Sequence, residues 1–113
     1  MAALFFSKSE IDVKSTIDSK EITQIAITNS ANGNIQNITD KNMKSDIMNA
    51  LETASYTKVS NHKTNGCLMN ITLLSNDKII MQFLLLSDSE VKINGCKYKA
   101  KNLDMDKLRN YMN

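Results

Sequence analysis

Each of the three glycines of this chain, Gly33, Gly66 and Gly95, follows an asparagine. Asn-Gly is the strongest short-range hairpin signal, because both residues tolerate the positive φ of a type I′ turn, whose twist matches that of the flanking strands. The pairs lie about thirty residues apart, so they punctuate the chain into strand pairs. The same spacing excludes a phosphate-cradling loop, which needs clustered glycines ahead of a helix.

Hydrophobic patterning fills in the elements between those marks. "ITQIAITNSANGNIQNIT" (22–39) predicts a hairpin, with Ile25 and Ile27 on one face, a loop ending in Asn32-Gly33 and a weaker strand from Ile35 to Ile38. "DKNMKSDIMNALETA" then offers Asp40 as N-cap and places Met43, Ile47, Leu51 and Ala54 on one face of a helix of about four turns. Residues 55–66, "SYTKVSNHKTNG", read as a polar connection carrying the only histidine, His62.

In "CLMNITLL" and "KIIMQFLLL" the odd positions Cys67, Met69, Ile71, Leu73, Ile79, Met81, Phe83 and Leu85 are all apolar. For both sets to share a face, paired residue numbers must sum to an even value, which predicts an odd-length loop, Ser75-Asn76-Asp77, with Leu74 opposite Lys78. The even positions mix Asn70, Thr72 and Gln82 with Ile80, Leu84 and Leu86, so this pair is expected to be partly covered on both sides. Around Asn94-Gly95 a two-residue turn sets Ile93 opposite Cys96 and Val91 opposite Tyr98 on the core face. Lys92, Lys97 and Lys99 take the other face, with Lys92 directly opposite Lys97 and Glu90 opposite Lys99. "NLDMDKLRNYMN" closes the chain as a short helix capped by Asp104, with Leu103 and Leu108 as a hydrophobic staple. The expected order is β-β-α-β-β-β-β-α. The fold class is α+β, a mainly antiparallel sheet with helices packed on one face.

A chain of 113 residues with 42% hydrophobic content has the length of one domain, able to bury roughly 65% of its unfolded surface without staples. Aromatics are 5% and tryptophan is absent, so the core must be aliphatic, with seven methionines to fill gaps. Residues 1–21 are mostly polar after an apolar start, "MAALFF", and are expected to form a tether or the remnant of an anchor, with 7–21 readable as a tether or one short strand. The single α+β domain is then expected over 22–113. "MAALFF" is too short for a secretory signal's apolar run or a membrane span. It is readable either as the start of a cytosolic chain or as the stub of a longer export segment, the second being preferred.

Residue types that carry chemistry are few and scattered in this chain. One histidine and two distant cysteines give no metal-ligand spacing, and no cofactor is expected. A thiol enzyme would need Cys67 beside His62, five residues apart, but Cys67 falls on the apolar face and His62 has no designated carboxylate. Cys67 and Cys96 are expected to be buried free thiols, three strand spacings apart. Asp104 and Asp106 suit a helix start. The "NIT" strings at Asn37 and Asn70 match glycosylation acceptors and are discounted, the second being mid-strand. Lys92, Lys97, Lys99 and Lys101 could together contact an anionic surface or partner; alternatively they guard an exposed edge strand. A formal charge of +2, a single arginine (Arg109) and few aromatics argue against nucleic acid. The lysine and asparagine bias, without proline, suggests an AT-rich bacterial source.

The succession of an Ile-rich strand, "GNIQNITD", the helix "IMNAL", a meander, "VKINGCKY" and a terminal "LDMDKLRNY" resembles small extracytoplasmic domains of unknown function in lipoproteins of low-GC Gram-positive bacteria. That resemblance covers about residues 22–112. It implies an envelope-exposed, non-enzymatic domain that binds or modulates another envelope component, reaching the membrane only through an N-terminal anchor not contained in this sequence. The alternatives are a cytosolic binding or regulatory module and, more remotely, the Cys67/His62 thiol enzyme.

Overall fold

The computed structural model describes residues 10–11, 13–17, 21–60 and 66–112. In chain order these form β1 (Glu10–Ile11), α1 (Val13–Ile17), β2 (Gln24–Asn29), β3 (Ile35–Ile38), α2 (Lys41–Thr53), β4 (Ser55–Lys58), β5 (Met69–Ser75), β6 (Lys78–Leu85), β7 (Glu90–Ile93), β8 (Cys96–Lys101) and α3 (Met105–Arg109). The strands make one antiparallel sheet in the order β1-β4-β8-β7-β6-β5-β2-β3. The fold is therefore α+β, with β5 to β8 a simple meander.

Register explains why the core lies on one side. Ile38, Ile25, Leu73 and Met81 form one transverse row, and Ile27, Ile71, Phe83 and Ile93 form the next. A third row joins Met69, Leu85 and Val91. All of these are buried, and they share a single core with Ile47, Ala50 and Leu51 of α2 and Met105 and Leu108 of α3. Each such aliphatic side chain contributes about 1.5–3 kcal/mol on burial. The caps are the expected ones: Asp40 accepts from the Met43 N–H at 2.9 Å and Asp104 from the Lys107 N–H at 3.1 Å.

The β5–β6 connection differs from expectation. Asn76-Asp77 is a two-residue turn with both residues at positive φ (50° and 69°), and Ser75, not Leu74, lies opposite Lys78. A two-residue turn pairs odd with even positions, which would expose half of the apolar set. The register shift between Leu73 and Leu74 repairs this: Leu74 faces Ile79, Leu73 faces Met81, and Ile80 is the extra residue of a bulge. Even-sum pairing in the body of the hairpin is thus reached by a bulge and not by an odd loop. Ile79 is consequently turned off the core face and is 60% exposed. In β7–β8 the Asn94-Gly95 turn and all four expected pairs are present.

Two further corrections concern stretches expected to be irregular. The connection after α2 contains β4, which pairs with β8; Tyr56 on it is buried, its hydroxyl donating to the Leu51 carbonyl at 2.7 Å. The N-terminal tether, expected to run to residue 21, contains structure upstream of that boundary. Glu10–Ile11 pair with β4, and Val13 and Ile17 are buried in the core. Two apolar residues four apart are enough to seat one turn of helix, a signal too short to register as periodicity.

Candidate interaction surface

The helices cover one face of the sheet, and the residues between the core positions make the other. The strand register orders this open face as it ordered the core. One row runs Ile35, Thr28, Asn70, Leu84, Lys92 and Lys97 across β3, β2, β5, β6, β7 and β8. A second runs Asn37, Ala26, Thr72 and Gln82, and a third Gln24, Leu74 and Ile79. At the other end Glu90 lies opposite Lys99, and Lys101 opposite Ser55.

Charge is segregated along this face. On β3, β2, β5 and β6 its side chains are Ile, Leu, Ala, Thr, Asn and Gln, with no charged group. On β7 and β8 it carries Glu90, Lys92, Lys97, Lys99 and Lys101. Ile35 and Ile79, at 59% and 60% exposure, are the most exposed large apolar residues of the described chain.

The four lysines proposed as anion contacts therefore share a face, but not a role. Lys97 is 4% exposed and lies 3.3 Å from the Glu90 carboxylate, two residues back from its direct neighbour Lys92. It forms the floor of a cleft of about 460 Å³ lined also by Val59, Ser60, Ser89 and Lys99. The Val59 N–H donates to the Lys97 carbonyl at 3.1 Å, which continues the pairing of β4 with β8 and brings Val59 and Ser60 to the rim of this cleft. Lys99 and Lys101 are exposed and Lys92 is half-buried. The alternative reading of these lysines as guards of a sheet edge does not hold, because β8 is flanked on both sides, by β7 and β4.

The other candidates disperse. His62 lies outside the described residues. Cys67 precedes β5 and is half-buried, not fully buried as expected; it accepts from the Ser30 hydroxyl at 3.3 Å and donates to the Met69 carbonyl at 3.4 Å. Cys96, also half-buried, lies opposite Ile93, and both thiols are free. The strand order sets three inter-strand spacings, ~14 Å, between their strands. Among the described residues no group of three or more His, Cys, Asp or Glu side chains could hold a metal ion, and no helix is long and apolar enough to cross a membrane. Of the two acceptor strings, Asn37 is exposed on β3 and Asn70 half-buried on β5.

One polar cluster was not foreseen. Tyr111 donates to Asp46 at 2.6 Å and Lys107 pairs with it at 3.1 Å, tying the end of the chain to α2. The hydrogen bond from Tyr111, then that from Lys107, holds the Asp46 carboxyl below its ordinary range, and the same bond raises the Tyr111 hydroxyl. No sequence signal joins residues so distant in the chain. A groove of about 580 Å³ between α1 and α2 carries cations and carboxylates together, and Lys44 there donates to the Ile22 and Thr23 carbonyls at 3.0 and 3.4 Å. Comparison with known proteins finds no family model, no curated protein and no solved structure that matches the chain.

Proposed function

We propose that this chain is a non-enzymatic, extracytoplasmic domain of a membrane-anchored protein, which binds or modulates another component of the cell envelope through the open face of its sheet. The observation that carries the binding surface is the segregation on that face: uncharged from β3 to β6, with Lys92, Lys99 and Lys101 beyond it. A sheet face that needs only solvent as its neighbour is normally interspersed with charge. The order of elements, through the resemblance it carries, supports the envelope setting, and the lysine- and asparagine-rich composition supports a bacterial source.

The test has two arms. The gene product, tagged at its C-terminus in the source organism, is expected to be cleaved when intact cells are treated with protease; resistance until lysis replaces the envelope reading with the cytosolic one. A photo-crosslinking residue at Gln82, exposed on the open face, is expected to give a protein adduct in cells, whereas one at Asn49, exposed on α2, is not. Adducts from Asn49 alone would move the binding surface to the helical side.

A further inference from the structure

Among the described residues the sheet ends at β1 on one side and at β3 on the other. The hydrogen-bond pattern tells which backbone groups of β3 face outward. Asn29 N–H donates to the Asn34 carbonyl at 2.8 Å, and the register continues with Thr28 opposite Ile35 and Ile27 opposite Gln36. Bonded and non-bonded pairs alternate in an antiparallel ladder, so Gln36 and Ile38 bond to β2. The N–H and C=O groups of Ile35 and Asn37 point away from the sheet. The Ser30 N–H donating to the Leu68 carbonyl at 3.3 Å fixes the same alternation from the β5 side. Among the described residues no strand pairs with this outer side.

Exposed edges are ordinarily guarded by lysine, proline or a bulge. Residues 30–39, "SANGNIQNIT", contain no charge and no proline, and β3 pairs with β2 without a bulge. Ile35 stands 59% exposed on its flank.

We propose that β3 is a self-pairing edge, to which β3 of a second copy of this chain adds antiparallel about a two-fold axis. The outward groups belong to odd-numbered residues on both copies, so paired numbers sum to an even value. Ile35 of one copy then lies opposite Asn37 of the other, and the reverse. Even sums keep the open faces on one side and the helices on the other, so the two uncharged halves become one continuous surface. Charge does not oppose a like partner here. Identical chains of net charge +2 repel wherever their cations meet, but β7, the nearest strand bearing open-face lysines, is four strand spacings from β3, ~19 Å. That is beyond the Debye length of about 8 Å at physiological salt. Asp40 and Lys41, just past β3, are opposite in sign and cancel.

A strand of four residues makes a small interface, and small interfaces are weak, here on the order of 100 µM. Sedimentation equilibrium of the full chain from about 10 µM to about 1 mM should show the mass rising from 12.7 kDa toward twice that value. The Ile35 and Asn37 amides should gain hydrogen-exchange protection as concentration rises. Asn37→Pro removes an outward donor and an exposed side-chain hydrogen bond from Gln24 while leaving the backbone ladder to β2 intact, and Ile35→Lys places a charge on the edge. Each should weaken association at least about tenfold while the dilute protein keeps its melting temperature; should the proline variant not fold, the lysine variant decides alone. A monomeric mass throughout overturns the proposal. So does a dimer that survives in the folded variants or leaves the Ile35 and Asn37 amides unprotected, or a strand partner that is only some other protein.

Discussion

The β5–β6 and β7–β8 hairpins are built on the same two-residue turn and reach their registers differently. Asn94-Gly95, at φ 50° and 89°, leads straight into four regular pairs. Asn76-Asp77, at φ 50° and 69°, leads into two pairs and then a bulge at Ile80. In β7–β8 the apolar residues already alternate in phase across a two-residue turn: Val91 and Ile93 are odd, Cys96 and Tyr98 even. In β5–β6 both apolar sets are odd, so the same turn would put them on opposite faces. Burial of three side chains as large as Met81, Phe83 and Leu85 outweighs the one ladder position lost to a bulge.

The largest expected effect comes from the core face that the bulge preserves. Phe83→Ala empties a fully buried position on it and should cost about 3–5 kcal/mol in chemical denaturation. Deleting Ile80, by contrast, removes only the extra residue: the two-residue turn then leads straight from Leu74 opposite Ile79 to Leu73 opposite Met81, Met81, Phe83 and Leu85 keep their face, and cooperative thermal unfolding should survive. Loss of the transition in that deletion variant would show that the bulge is needed for more than parity.

The second hairpin is sensitive elsewhere, at its buried cation. Glu90→Gln removes the carboxylate 3.3 Å from the Lys97 ammonium. Because the Glu90 side chain is 42% exposed, solvent screens part of the interaction, and chemical denaturation should register a loss of about 1–2 kcal/mol. If Lys97→Met in the same background does not recover most of it, charge burial is not the cause.

The turns themselves should respond in opposite senses. Gly95→Ala has open space for its Cβ but must hold φ near 89°, and should cost about 1 kcal/mol. Asp77→Gly relieves a non-glycine residue at φ 69° and should gain about 0.5 kcal/mol. Equal destabilisation by both would mean that the Asp77 side chain supports its turn.

The smallest effect lies outside both hairpins, at Asp46 and Tyr111. The Asp46 carboxyl is depressed from 3.8, so its contribution is present above that value and is lost as pH falls through its folded-state value. The Tyr111 hydroxyl is raised from 10.0, so its contribution is complete below pH 10 and is lost as pH rises further. Docking of the chain end, followed by amide exchange, should weaken at both extremes and be flat between. Tyr111→Phe should bring the Asp46 carboxyl titration, followed by NMR, back toward 3.8.

What the sequence determined by itself is what rests on residues close together in the chain. The Asn94-Gly95 turn and its four pairs, α2 with its Asp40 cap, the Asp104 cap and the alternating core of β5 all follow from local conformational preference and a period of two or 3.6. The α+β class follows from them, and so does the placing of Lys92, Lys97 and Lys99 on one face. Tertiary structure decided what depends on partners distant in the chain. Ser55–Lys58 is a strand because β8 offers an edge and the core a slot for Tyr56; Val13 and Ile17 are buried because α2 and the sheet leave room for one helical turn. The choice of a bulge over an odd loop was beyond local reading because Asn76 and Asp77 can enter the left-handed region without glycine, and only the facing strand settles whether they do. Lys97 became a buried ion-pair partner because its side chain meets the Glu90 carboxylate in a cleft lined also by Val59, Ser60 and Ser89, whereas Lys99 and Lys101 are exposed cations. That enclosure is a matter of packing, and no pattern along β8 encodes it.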